Sequence, residues 1–274
     1  MPEPANTIVL ITGASSGIGL ACAQYLHAQG YTVYGTSRNP NTDKAPIHWL
    51  AMDVTDSASV NAAVAALLAK EGRIDVLVNN AGIGIMGPLE ETSVDEARGT
   101  LETNFFGVHR VCRAVVPAMR KAGAGKIINI SSIAGQMGLP FRGFYSASKA
   151  ALERYSEVLR LELEEFGIHV SVIDPGSIKT PINENRQVAK EAEAPDSPYR
   201  EGFARNTAII HADVETGLPP EAVARQVTAI IRAPQPKMRY VVAHLKQRAA
   251  ILLSRLLPAN AFLNILKKNY RVDR

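Results

Sequence analysis

Thr7-Ile-Val-Leu-Ile-Thr12-Gly13-Ala14-Ser15-Ser16-Gly17-Ile18-Gly19 is the stretch whose reading decides the fold. Its first half is a continuous apolar run with no alternation, the mark of a strand buried on both faces. Helical periodicity then runs from about Ile18 to Gln29, and Gly30 closes it as a glycine beyond a helix end does. Gly13 permits a tight turn, Gly17 lets backbone approach an anion, and Gly19 lets helix pack on strand. The first N–H groups of the helix then face outward as donors for a phosphate.

The same alternation continues along the chain. Strand patterns cover Tyr31–Thr36, Ile47–Ala51, Ile74–Asn79, Lys126–Ser131 and Ile168–Ile173. Between them lie helical patterns: Ser57–Lys70 with Ser57 as its cap, Val94–Lys121, and Tyr145–Phe166. Six β units with helical crossovers imply an α/β, doubly wound parallel sheet in a single domain spanning 1–274. The regularity fails after Pro175. Residues Ile182–Arg205 read as a mobile loop with one or two short helices, within a variable substrate lid at 182–218. A helix at Pro220–Arg232, a short strand at Arg239–Val242 and a basic helical tail at 245–274, divided by Pro258, complete the chain.

Composition narrows the function classes. The 274 residues are 46% hydrophobic and 20% charged, a globular balance. Two cysteines exclude a disulfide scaffold, and six scattered histidines show no metal-ligand spacing. The net charge of +4 is unevenly spread: from Lys237 onward there are nine Lys/Arg and one acid, so the preceding body is mildly acidic. A basic coat for nucleic acid is absent. No run approaches the ~20 apolar residues of a membrane span, and no leader pattern shows, so a cytoplasmic protein is expected.

The glycine spacing is Gly-x-x-x-Gly-x-Gly, and Asn79-Asn80-Ala81-Gly82 closes the fourth strand. With these motifs the chain resembles the classical short-chain dehydrogenases/reductases, over about Thr7–Thr180. The resemblance implies a Rossmann fold, a nicotinamide dinucleotide, and cofactor contacts from Asp53 and Val54, from Asn80, Ala81 and Gly82, and from Pro175, Gly176, Ile178 and Thr180. The phosphate loop contributes Gly13, Ser15, Ser16, Gly17, Ile18 and Gly19. The second strand ends Gly35-Thr36-Ser37-Arg38. A carboxylate there binds a ribose 2′-OH, whereas an arginine accommodates a 2′-phosphate. Ser37 and Arg38 therefore predict NADP(H).

Tyr145 and Lys149 are four apart, which puts both on one helix face. A nearby ammonium favours phenolate and is expected to lower the tyrosine pKa toward a useful acid/base value. The family resemblance adds Ser132, thirteen residues before Tyr145, and Asn104, whose amide would hold a water connecting Lys149 to solvent. Tyr145 and Lys149 then serve both chemistry and cofactor. Ser131 is the rival serine, directed by strand alternation to the other face.

Substrate-lining candidates beside Ser132 and Tyr145 are apolar: Met86, Met137, Leu139 and Ile182, with Ile85 and Phe144 nearby. Gly135–Phe141 and Asn80–Pro88 look most like the 17β-hydroxysteroid and retinol dehydrogenase branch. That suggests a bulky apolar ketone or alcohol; a broad-range small carbonyl reductase is the alternative. A catalytically silent nucleotide sensor would lack a catalytic group, and an extended-branch epimerase would need another glycine spacing and a longer chain. The tail reads either as an interfacial membrane helix or, the favoured reading, as a cover over the cleft or a subunit contact with a solvated basic face. A homodimer or homotetramer is expected from the family's use of the helices at Val94–Lys121 and Tyr145–Phe166.

Overall fold

The computed structural model describes residues 6–40, 43, 45–181 and 186–272. Seven parallel strands form the central sheet: β1 (Ile8–Ile11), β2 (Thr32–Ser37), β3 (His48–Ala51), β4 (Val76–Asn79), β6 (Gly125–Ile130), β7 (Ile168–Pro175) and β9 (Arg239–Val242). Their order is β3-β2-β1-β4-β6-β7-β9. A small parallel ribbon pairs β5 (Ile85–Met86) with β8 (Gln187–Val188). The winding reverses between β1 and β4, which opens a crevice beyond their carboxyl ends.

Alternation along β1 shows how the sheet is covered. Ile8 and Leu10 pack with Leu67 of α2 (Ser57–Glu71), Val115 of α4 (Gly107–Ala122) and Leu152 of α5 (Gly143–Leu163). Val9 and Ile11 enter the opposite layer with Leu26 of α1 (Gly17–Ala28) and Val227 of α7 (Glu221–Arg232). Both faces are thus apolar, which is why the strands read as unbroken apolar runs. Cys22 and Cys112 are free and buried in these layers; burial pushes both thiols up to about 12.

One polar chain crosses the core. Asn79 stands opposite Asn129 in the β4–β6 register and donates to its Oδ1 at 2.9 Å. The Asn129 amide donates in turn to Ser156 Oγ on α5 at 2.8 Å.

Three local readings differ from the structure. Asp56, not Ser57, caps α2, accepting from Ala58 N at 2.8 Å. The helix expected over Val94–Lys121 is α3 (Val94–Leu101) and α4 joined through a π-helical turn, Glu102–Phe106. Such a turn widens the backbone spiral, often at functional sites. The segment read as a loop to Arg205 instead enters a sixteen-residue helix at Arg200, α6 (Arg200–Glu215), which buries Phe203, Asn206, Ile210 and Val214. Helices α8 (Leu245–Leu256) and α9 (Ala259–Asn269) meet at Pro258 as expected.

Asn129→Ala removes the middle of the buried amide chain and leaves Asn79 short of its acceptor. The loss should cost about 1–3 kcal/mol, against about 1 kcal/mol for Asp56→Ala at the α2 cap. Urea denaturation should show both as lower midpoints with unchanged slope.

Candidate active site

The loop after β1 is seated by close backbone approach. Gly13 has φ +65, and a Cβ on it would lie 2.8 Å from Ala81 Cα. A Cβ on Gly19 would meet the Gly13 carbonyl oxygen at 2.3 Å and Asn80 Nδ2 at 2.4 Å. Side chains complete the seam. Asn80 Nδ2 donates to the Thr12 and Gly13 carbonyls at 3.0 Å, and the Asn80 and Ala81 N–H groups both donate to Thr12 Oγ1 at 3.0 Å. Asn80 is thus a brace between two strand ends as well as part of the wall.

This seam forms the floor of a cavity of about 1020 Å³. Pockets for ligands run to roughly 300–1,000 Å³, so there is room for a dinucleotide and a second molecule. Of the residues expected at a cofactor, Gly13, Ser15, Ser16, Gly17, Ile18, Ser37, Arg38, Asp53, Val54, Asn80, Ala81, Gly82, Pro175, Gly176, Ile178 and Thr180 all line it. Gly19 lies beneath it, as helix–strand packing requires. Ser37 Oγ is buried with no hydrogen-bond partner among the described residues, and exposed Arg38 stands beside it. Ser16 makes no side-chain cap bond at the start of α1. An orphan hydroxyl, a guanidinium and a helix N-terminus form a donor set that fits phosphates. Asp53 is not a helix cap. Its carboxylate accepts from Thr55 N at 2.9 Å and Thr55 Oγ1 at 2.7 Å, bonds that hold its pKa below the usual range; Arg38 and Arg110 add to this.

At the other end of the cavity stand Ser132, Tyr145 and Lys149. Ser132 follows β6, its Oγ accepting from Ala134 N at 3.1 Å and hydrogen-bonding the Tyr145 phenol. Ser131 also lines the cavity, but its hydroxyl points to the Lys149 carbonyl at 3.5 Å. Lys149 Nζ lies 5.9 Å from the Tyr145 ring centre and donates to the Ile130 carbonyl at 2.9 Å.

The pKa directions revise the sequence expectation. Burial pushes the Tyr145 phenol up, while Ser132, Arg142 and Arg186 pull it partly back. Burial pushes Lys149 down to about 8, opposed by the charges of Glu153 and Asp174. Desolvation outweighs charge pairing at both groups.

Asn104 sits in the π-helical turn with both amide N–H groups and one acceptor position in use. Its Oδ1 accepts from Ile83 N at 2.8 Å, and its Nδ2 donates to the Ile83 carbonyl at 2.9 Å and to Ser148 Oγ at 3.0 Å. It clips the loop after β4 to α5, one residue from Lys149, and its side chain does not line the cavity.

The apolar substrate candidates separate. Leu139 and Ile85 line the cavity. Met86 is packed away with Ala189, Ala192, Phe203 and Ile210, because β8 and α6 close over it. Met137 instead packs under the tail and lines a separate apolar groove of about 590 Å³. Ile182 lies outside the described residues. The cavity is also lined by residues that local pattern did not single out: Arg142, Arg186, Ile210, Asp213, Gln247 and Tyr270. Arg142 stands one helical turn before Tyr145, a signal the sequence carried; the others are far away in the chain.

Behind Lys149 lies a buried ionic group. Arg239 of β9 donates to Glu153 Oε2 at 2.5 and 3.0 Å and to Glu157 at 3.2 Å, and sits 3.4 Å from Asp174. Gln136 donates to Asp174 Oδ2 at 2.8 Å. Burial and the Glu153 carboxyl push Asp174 upward, toward its protonated form. Among the described residues no cluster could hold a metal ion, and no helix is long and apolar enough to cross a membrane.

Comparison with known proteins adds four findings. The short chain dehydrogenase family model matches residues 7–191. The 3-ketodihydrosphingosine reductase of Bacteroides thetaiotaomicron is 43% identical, over 97% of this chain and 98% of its own. Human 17-beta-hydroxysteroid dehydrogenase type 1 is 38% identical, over 86% of this chain and 77% of its own. A short-chain dehydrogenase from Streptomyces avermitilis superposes with a TM-score of 0.81 at 32% identity, covering 98% of this chain and 99% of that one.

The ionic group makes the Lys149 titration testable without turnover. Lysine-labelled NMR should show the Lys149 ammonium titrating near about 8. Glu153→Gln alone should lower it slightly, because Asp174, freed of its neighbour's charge, ionises more readily. Glu153→Gln with Asp174→Asn should lower it clearly further, since both opposing charges are gone.

Proposed function

This chain belongs to the short-chain dehydrogenase family, and from that premise we propose an NADP(H)-dependent oxidoreductase that interconverts a ketone and a secondary alcohol on a bulky, largely apolar substrate. The observation that carries the reading is one cavity holding a phosphate-donor set at one end and Ser132, Tyr145 and Lys149 at the other. Arg38 and the orphan Ser37 hydroxyl favour a 2′-phosphate at the end of β2, where a carboxylate would repel one. When bound, the nicotinamide supplies or accepts the hydride.

The residues divide the remaining work. Ser132 and Tyr145 donate hydrogen bonds to the substrate oxygen, where negative charge develops as the carbonyl is reduced. Tyr145 Oη passes its proton to that oxygen, and takes one back in the oxidative direction. Lys149 supplies positive charge beneath the phenol and holds ribose hydroxyls. Asn104 keeps Ile83 and α5 in register, so that Lys149 and Gly82 face the same space: a Cβ on Gly82 would lie 3.1 Å from Asn104 Oδ1 and 3.6 Å from Lys149 Nζ.

Substrate selection falls to the roof, made by Arg186 and Gln187, by α6 and by the tail residues Gln247 and Tyr270. The apolar surfaces of Ile85, Leu139 and Ile210 suit a lipid- or steroid-like ketone. The similarity to the 3-ketodihydrosphingosine reductase and to the hydroxysteroid dehydrogenase supports that class. The chain works as a dimer or tetramer through α4 and α5, whose outer surface exposes Val158 and Leu161.

Two substitutions separate the parts of the reading. Tyr145→Phe should reduce kcat by about 10²-fold or more while NADPH still binds, as followed by nicotinamide fluorescence. Arg38→Ala should weaken NADPH about tenfold with little effect on NADH, and Ser37→Asp should turn preference toward NADH. Equal NADPH affinity in Arg38→Ala would overturn the cofactor assignment.

A further inference from the structure

Helix α8 is anchored on its inner side. Ile251 is buried against the Ile133, Met137 and Leu139 cluster, and Gln247 Nε2 donates to Ser177 Oγ at 2.8 Å. Its outer side has no such partner among the described residues. Leu245, Leu252 and Leu256 fall at i, i+7 and i+11, on one helical face, and are 82%, 57% and 69% exposed. Lys246 lies on one flank of that stripe and Arg248 on the other, beside Arg255, which also donates to Gln136 Oε1 at 2.8 Å. On α9, Phe262 and Leu266 point inward while Leu263 and Ile265 are exposed near Lys267 and Lys268.

Charge decides what this face fits. Residues 245–272 carry six Lys/Arg and no acid, whereas the body before Lys237 is net acidic. A two-fold contact between copies would set six cations against six. An anionic bilayer surface offers what the face lacks: phosphates for the cations and an acyl boundary for the leucines. We propose that the α8–α9 face docks on an anionic phospholipid membrane, lying in its surface with the Leu245–Leu252–Leu256 stripe at the acyl boundary. The two readings of the tail are then not alternatives: its inner side covers the cleft and its outer side meets lipid. The apolar groove of about 590 Å³, lined by Met137, Leu263, Leu266 and Val272, opens along the same edge and shares Leu139 with the main cavity. The docking stands whether or not the substrate class proposed above is right.

The test is co-sedimentation of the full chain with vesicles of phosphatidylcholine alone and of equal parts phosphatidylcholine and phosphatidylglycerol. Three proteins are compared: wild type, Leu245→Ser/Leu252→Ser/Leu256→Ser, and Lys246→Glu/Lys267→Glu/Lys268→Glu, with circular dichroism confirming that each is folded. Wild type should pellet with the anionic vesicles only, and less in about 0.5 M salt. Each triple variant should bind at least about tenfold more weakly. The proposal is overturned if wild type binds neither vesicle or both equally, or if the leucine variant binds as wild type does. It is also overturned if that variant loses an oligomer in analytical ultracentrifugation without losing lipid, which would assign the face to a second copy.

Discussion

Two backbones approach closely where β1 and β4 end, and the site depends on that approach. Gly13 lies against Ala81, and Gly19 lies under the Gly13 carbonyl and the Asn80 amide, with no space for a Cβ at either position. Thr12 Oγ1 accepts two N–H groups from the neighbouring strand end. These contacts set the start of α1 at the reversal of the sheet, where its first N–H groups face the crevice. The next residue along, Gly82, lets Asn104 reach Ile83 and lets Lys149 come close from α5. A shift at the seam would therefore move both ends of the cavity together.

The Tyr145–Lys149 end of the cavity is largely shielded from water. Tyr145 is made a weaker acid by burial and Lys149 a weaker base. The two effects favour a neutral pair, which is poor at moving protons. Opposing them are Arg142 and Arg186 on the tyrosine side, and Glu153 and Asp174 on the lysine side. The carboxyls reach Lys149 from behind, and Arg239 and Gln136 hold them in place. Arg255 of α8 donates to Gln136 Oε1 at 2.8 Å, so the tail is joined to this group by direct hydrogen bonds.

What could be read in the sequence follows the range of the forces involved. The doubly wound sheet, the phosphate loop, Arg38 and the Ser132–Tyr145–Lys149 group are encoded in short motifs, and Gly13, Gly17, Arg38, Ser132, Tyr145 and Lys149 line one cavity. The cap at Asp56 was missed by one residue, within the usual uncertainty of helix ends. The π-helical turn could not be read, because Glu102–Phe106 satisfies ordinary helical periodicity; it is Ile83, 21 residues earlier, that engages the Asn104 amide. Helix α6 is obscured by composition: its buried positions, Phe203, Asn206, Ile210 and Val214, keep helical spacing but include a polar residue, whose partner is the Tyr270 carbonyl far along the chain. The sign of the Tyr145 shift was misjudged because spacing reveals a neighbouring charge but not how much water the cavity removes.

The division between legible and illegible parts has a functional consequence. The floor of the cavity is built from backbone contacts that tolerate no added atom, so its ligand must present the same phosphates and ribose each time. The roof is built from side chains on α6, α8 and the segment at Tyr270, joined to the floor by few bonds, such as Gln247 to Ser177 and Arg142 to Tyr270. A roof of that kind can change its apolar lining without disturbing the seam beneath it. The charge pattern divides the roof itself: the floor and α6 lie in the acidic part, whereas α8 and the segment at Tyr270 lie in the basic part. The overall charge of +4 thus describes neither part.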